Sequence, residues 1–150
     1  SWGNVEGHAE GSGYDFSDAV YAQTAGAALT GNIPVNGTYD LVRHNMGAPC
    51  RLPTVGEFQE LNSNCDSEWT DEDGVAGRRF TSRINDNSIF FPASGNYSGT
   101  SLYSRGTLGY YWSSTWFSVR LARNLYFYSG GVYPQGNSSR YNGFALRPVQ

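Results

Sequence analysis

Lysine is absent from this chain of 150 residues: all ten basic residues are arginine, and the net charge is -3. Binding nucleic acid through phosphates needs a basic surface, so no nucleic-acid partner is expected. Histidine and cysteine are scarce, at two each. Zinc needs clustered Cys and His, and His8, His44, Cys50 and Cys65 are scattered along the chain. No metal and no cofactor are expected. No apolar run reaches the roughly 18 residues of a spanning helix, and no charged-then-apolar leader opens the chain. Membrane insertion is therefore not expected either. Acids are missing from the whole second part. Residues 1–86 hold all 13 acids and five arginines, a formal charge of -8, whereas 87–150 hold five arginines and no acid, +5. Residues 87–150 thus offer no carboxylate as metal ligand, general acid or general base.

Nucleophilic chemistry has little to work with. No Gly-x-Ser-x-Gly elbow occurs, and neither histidine sits in a motif. A non-catalytic role is expected, although a triad assembled from spatial neighbours stays open. His44 reads as a helix-end residue favoured by the dipole.

The length suits a single domain, 1–150. The Gly-rich stretch 1–37 reads as an irregular arm packed on a core, with short apolar patches at Val20–Tyr21 and Ala25–Leu29. Residues 39–46 read as a short helix closed by Gly47 and Pro49. The clearest local signal is 53–64. Thr54 and Glu57 fit a capping box, and Val55, Phe58 and Leu61 follow at helical spacing. From Trp69 onward, short strands are expected at 78–82, 88–91, 110–115, 121–128 and 143–148, with Pro92 and Pro148 at ends. Two short helices packed on short antiparallel strands make an α+β fold.

Three smaller features keep two readings each. Cys50 and Cys65 flank the second helix, either as a disulfide or as two buried thiols. Asp71-Glu72-Asp73-Gly74 is an acidic turn before a strand, with a calcium loop as the alternative. Asn36, Asn96 and Asn137 stand in glycosylation sequons, which arise readily by chance in a chain this rich in Asn and Ser.

What is abundant is aromatic surface material. Residues 110–144 carry 11 of the 23 aromatics in 35 of 150 positions, interleaved with Ser, Gly, Asn and Arg. That is the palette of a paratope: large rigid contacts beside adaptable polar ones. Within 121–128, Leu125 and Phe127 share one face and Tyr126 and Tyr128 the other; either the two tyrosines stand in solvent or both faces are buried between layers, and Trp116, Phe117, Tyr133 and Tyr141 nearby favour the exposed surface.

Several stretches carry a family resemblance. Arg51-Leu52-Pro53-Thr54 with Glu57-Phe58 resembles the helix entry of bacterial C-type lectin-like domains. Ile89-Phe90-Phe91-Pro92-Ala93-Ser94-Gly95, Gly109-Tyr110-Tyr111-Trp112-Ser113-Ser114-Thr115 and Gly143-Phe144-Ala145-Leu146-Arg147-Pro148-Val149 resemble three of their later segments, in the same order. The likeness covers about 39–150. Within that fold the chain is most similar to the variable proteins of diversity-generating retroelements of bacteria and phages. There, a reverse transcriptase rewrites the coding stretch at template adenines. The resemblance implies a non-catalytic binding domain, the C-terminal part of a larger protein, with 110–150 as its variable region. It implies an extracellular setting, on a bacterial surface or a virion such as a phage fibre tip. It implies a protein or glycan partner on a cell surface, and it allows a homo-oligomer formed through the parent protein.

The binding positions it implies are Trp116, Phe117, Val119, Arg120, Leu121, Tyr126, Tyr128, Gly131, Tyr133, Asn137, Ser138, Ser139 and Tyr141. Ala122, Asn124, Leu125 and Phe127 would be scaffold. Trp116 and Gln135 cannot arise from an asparagine codon by adenine changes, so they are scaffold or come from other template codons. Relatives of other activity differ here. Sugar-binding lectins carry acidic calcium motifs, whereas this strand reads Trp112-Ser113-Ser114 and no acid follows Asp86. Formylglycine-generating enzymes need a late cysteine pair, and both cysteines here are early. The alternative function is a fixed-specificity lectin-like or structural domain of a bacterial surface protein.

Overall fold

The computed structural model describes residues 1–5, 29–35 and 38–150. His8, the apolar patches at 20–21 and 25–28, and Asn36 lie outside the described residues. The described chain is α+β: two short helices and eight strands in three antiparallel sheets. Among the described residues no helix is long and apolar enough to cross a membrane.

Helix α1 is Leu41–Met46. Asp40 starts it, accepting from the N–H groups of Val42 (3.0 Å) and Arg43 (3.1 Å) through one oxygen. Its other oxygen accepts from Leu52 N–H at 2.9 Å. One buried carboxylate thus caps the helix and fastens the segment that leads to the next one. Helix α2 is Val55–Asn64. The expected capping box is present, with Thr54 and Glu57 satisfying each other's backbone N–H. Arg51 adds a fork onto Glu57, at 2.8 and 2.7 Å. Arg51 also exchanges both backbone hydrogen bonds with Val149, so the entry to α2 is tied to the end of the chain.

Strands β1 (Cys65–Glu72), β2 (Val75–Ser82) and β3 (Ser88–Pro92) form the first sheet, in that order. Asp73 and Gly74, both at positive φ (53° and 81°), make the two-residue turn between β1 and β2. This is the acidic turn expected from the sequence, and Asp71 closes it by accepting from Gly74 N–H at 2.8 Å. Strand β1 escapes the sequence reading because it is acidic. Its carboxylates stand in solvent, and β2 and its trailing turn answer with arginine: Glu68 and Glu72 each meet Arg79 at 2.9 Å, and Asp66 meets Arg83 at 2.8 Å.

Strands β4 (Asn96–Ser98) and β5 (Ser101–Tyr103) make a small hairpin. Strands β6 (Leu108–Trp116), β7 (Leu121–Tyr128) and β8 (Gly131–Ser139) form the third sheet, in that order. Strand β8 also went unread, because Gly131, Pro134 and Gly136 look like loop. Pro134 is tolerated where it falls, on an edge strand at the register shift between the pairs Tyr126–Tyr133 and Asn124–Gly136. The strand expected at 143–148 does not form. That segment makes single bridges, Gly143 to Tyr97, Ala145 to Tyr111 and Val149 to Arg51. It crosses three partners instead of running along one, so no ladder builds up.

The third sheet is covered on both faces. One cluster holds Trp2, Leu29, Ile33, Val42, Leu52, Trp112 and Ala122. The other holds Phe58, Phe80, Phe91, Ala93, Tyr111, Leu125 and Phe127. Consecutive Tyr111 and Trp112 therefore enter different clusters, as the strand period of two requires. Cys50 packs on the first cluster and Cys65 on the second, and both are free thiols.

Candidate functional site

Directly paired residues on antiparallel strands project to one face. Tyr110 pairs with Tyr126, and Tyr126 with Tyr133. Tyr128, two positions on, shares the face of Tyr126. The other face carries Leu125 and Phe127, both fully buried in the second cluster. Gly109 makes room there: a Cβ on it would fall into the Phe127 ring.

The tyrosines form a continuous ladder. It starts in the first cluster with Trp112 on Phe144 (centroids 4.2 Å apart) and Phe144 on Tyr110 (4.7 Å). It continues with Tyr110 on Tyr126 (4.9 Å), Tyr126 on Tyr133 (5.4 Å) and Tyr133 beside Tyr128 (6.1 Å, rings within 9° of parallel). Exposure rises along it, from 2% at Trp112 to 47% at Tyr133. Aromatic pairs contribute roughly 0.5–1.5 kcal/mol beyond their burial. Folding therefore fixes these rings before anything binds them, which lowers the entropic cost of contact. Ring faces inside the stack are occupied by neighbours, so solvent meets edges and hydroxyls. The outermost hydroxyls, of Tyr128 and Tyr133, lie 3.5 Å apart.

The face is neutral. The hydrogen bond to Tyr128 raises the Tyr133 phenol above its ordinary value, helped by the nearby phenols. Tyr110 is raised mainly by burial and then by Tyr126. The Tyr110 and Tyr133 hydroxyls therefore stay protonated and serve as both donors and acceptors. Beneath the β7–β8 turn, the buried Arg78 guanidinium donates to Ser129 O and to Ser67 Oγ, each at 3.3 Å. Burial pulls its pKa down. It braces the turn against the first sheet.

The structure divides the thirteen positions named from the sequence. By register, Trp116 and Ser138 (each paired with Ala122), Gly131 (paired with Tyr128), Tyr126, Tyr128 and Tyr133 share the ladder face. Leu121 pairs with Ser139, and Asn137 with Arg123, on the opposite face. Phe117, Val119 and Arg120 sit exposed in the β6–β7 loop. That loop is held by the buried Arg140, which donates from Nη1 to Val119 O at 3.2 Å and from its backbone to Arg120 O at 3.0 Å. The Arg123 guanidinium lies 4.2 Å from the Phe117 ring centre. Tyr141 follows β8, half-buried. The positions thus make two surfaces, a tyrosine face and a loop end, at opposite ends of β7.

Sequence reasoning missed Tyr110, Phe144, Arg123 and Arg78. Tyr110 had a signal: beside the core residue Tyr111, alternation must turn it to the other face. The roles of Phe144 and Arg78 come from long-range packing, which no local pattern encodes. At the acidic turn, Glu72 is held by Arg79 and Asp71 by the turn itself. Among the described residues no group of three or more His, Cys, Asp or Glu side chains gathers.

The chain belongs to the family described as domain of unknown function DUF8237, whose model matches residues 56–149. No curated protein and no solved structure matches it.

Proposed function

We propose that this member of the DUF8237 family is a non-catalytic binding domain of C-type lectin-like fold, of the kind that diversity-generating retroelements vary. Its setting in this proposal is the outside of a bacterium or a phage fibre tip, and its ligand is a protein or glycan on a cell surface. The observation that carries the reading is the tyrosine ladder, anchored in the core at Trp112 and half-exposed at Tyr133. It combines a rigid scaffold with a neutral surface of ring edges and hydroxyls, the chemistry of an adaptable paratope. The resembling segments support the fold reading: they supply the capped entry to α2, strands β3 and β6, and the closing run that returns to Arg51.

The interleaving on β7 supports diversification. Ala122, Asn124, Leu125 and Phe127 are each at most 1% exposed, while Tyr126 and Tyr128 reach solvent. A mutable codon set can change the second group without touching the core.

Sequencing the DNA around this coding region tests the reading. The expected result is a nearby reverse transcriptase gene and a near-copy of the stretch coding for 110–150. Mismatches would be confined to template adenines, sparing the codons of Leu125 and Phe127. Absence of any near-copy would leave a fixed-specificity binder and overturn the diversification proposal.

A further inference from the structure

A concavity lies away from the tyrosine face, and nothing in the proposed function uses it. It has a volume of about 390 Å³, toward the small end of small-molecule sites, which run from about 300 to 1,000 Å³. Three segments enclose it: the start of β2 (Gly74 to Ala76), the end of β3 (Pro92 to Ser94) and the β4–β5 hairpin with the loop after it (Tyr97, Leu102, Arg105, Gly106).

Short backbone bonds fix these walls. Ala93 N–H donates to Ala76 O at 2.8 Å, and Gly106 N–H to Ala93 O at 2.7 Å. Thr107 and Leu108 N–H both donate to Ser104 O, at 3.1 and 3.0 Å, which holds the loop carrying Arg105.

The lining is mostly apolar, with one charged group that lacks a partner among the described residues. Val75 and Leu102 keep 47% and 38% of their surface exposed there, an unusual expense for large apolar side chains. The Ser94 hydroxyl is sealed from the cavity: it has no accessible surface and lies against the Tyr111 phenol. Tyr111, its neighbour, donates its own proton to Pro92 O at 2.9 Å. Arg105 makes no ion pair among the described residues. Of the carboxylates at the adjacent turn, Glu72 is held by Arg79 and Asp71 by Gly74 N–H. A permanent cation lining a mostly apolar cavity is an arrangement suited to an amphipathic anion.

We propose that this cavity binds a small carboxylate with an apolar body. Arg105 takes the carboxylate in a forked hydrogen bond, and Val75, Ala76, Pro92 and Leu102 enclose the apolar part. The site is independent of the tyrosine face, so either can fail without the other.

Methyl and amide NMR titrations with 3-phenylpropionate, and with 3-phenylpropanamide as its neutral counterpart, test it. Saturable shifts at Val75, Ala76 and Leu102 are expected with the acid, at least about tenfold tighter than with the amide. Arg105→Gln, an exposed loop change, should bring the acid down to the affinity of the amide. Lack of saturable shifts with the acid at millimolar concentration overturns the proposal. So do equal affinities for acid and amide, an Arg105→Gln variant that binds the acid as the parent does, or shifts confined to the tyrosines of the ladder.

Discussion

Two carboxylates show how much a single side chain can organise. Asp40 accepts three backbone N–H bonds while 1% exposed. Asp40→Ala removes a helix cap, worth roughly 0.5–2 kcal/mol, and orphans the Leu52 N–H, worth roughly 1–3 kcal/mol more. Urea denaturation should report a loss of about 2–4 kcal/mol; a loss under about 1 kcal/mol would mean water replaces the carboxylate. Glu57 sets an acid limit on stability. The Arg51 fork holds its carboxyl down at about 2, with help from Thr54 and against desolvation. A depressed folded value stabilises the protein above the unfolded value of 4.5 and loses that contribution as pH falls toward about 2. The pair is partly exposed, so screening reduces its worth to roughly 1–2 kcal/mol. Glu57→Gln should therefore be less stable than the parent at neutral pH, and the gap should close between pH 4.5 and about 2. A gap that persists at the acid end would place the cost in the lost cap and not in the charge.

At the scale of elements, legibility followed local chemistry. Helix α2 could be read because its cap is written in Thr54 and Glu57, and β7 because Leu125 and Phe127 alternate with Tyr126 and Tyr128. Strands β1 and β8 could not, since long-range contacts compensate for composition: arginine side chains reaching the acids in one, a register shift around Pro134 in the other. The same limit applied to the site. Its aromatic content was visible, but its division into a ladder face and a loop end depends on register, which only pairing fixes. The two faces of β7 should respond differently to truncation. Phe127→Ala should cost about 3–5 kcal/mol, as for a fully buried phenylalanine. Tyr133→Ala, at 47% exposure, should cost under about 1 kcal/mol, mostly from stacking on Tyr126 and Tyr128. Thermal melts of the two variants decide the matter; comparable losses would mean that the tyrosine face is structural and not a display.

At the scale of the molecule, charge segregation could be read to the residue, whereas the sharing of one sheet by two core clusters could not. That sharing follows from β6 sending Tyr111 and Trp112 to opposite faces, and from β7 doing the same with Ala122 and Leu125. Neither cluster can be stripped without exposing the back of the sheet that supports the other, so the described domain should unfold as a single unit. Phe91 lies in the second cluster, edge-on to Phe80, Tyr111 and Phe127. Phe91→Ala should therefore cost about 3–5 kcal/mol, and the loss should be felt throughout. In a Trp69→Phe background, the remaining fluorescence comes from Trp2, Trp112 and Trp116, all in or against the first cluster. Its denaturation midpoint should fall together with that of far-UV circular dichroism, by the same amount. Separate midpoints would make the clusters independent units. The ladder makes this matter for function, because it is rooted in the first cluster through Trp112 and Phe144 while its strands rest on the second through Leu125 and Phe127. If unfolding is concerted, the tyrosines keep their spacing up to the global transition, and substitutions at the exposed end change the surface without changing its geometry.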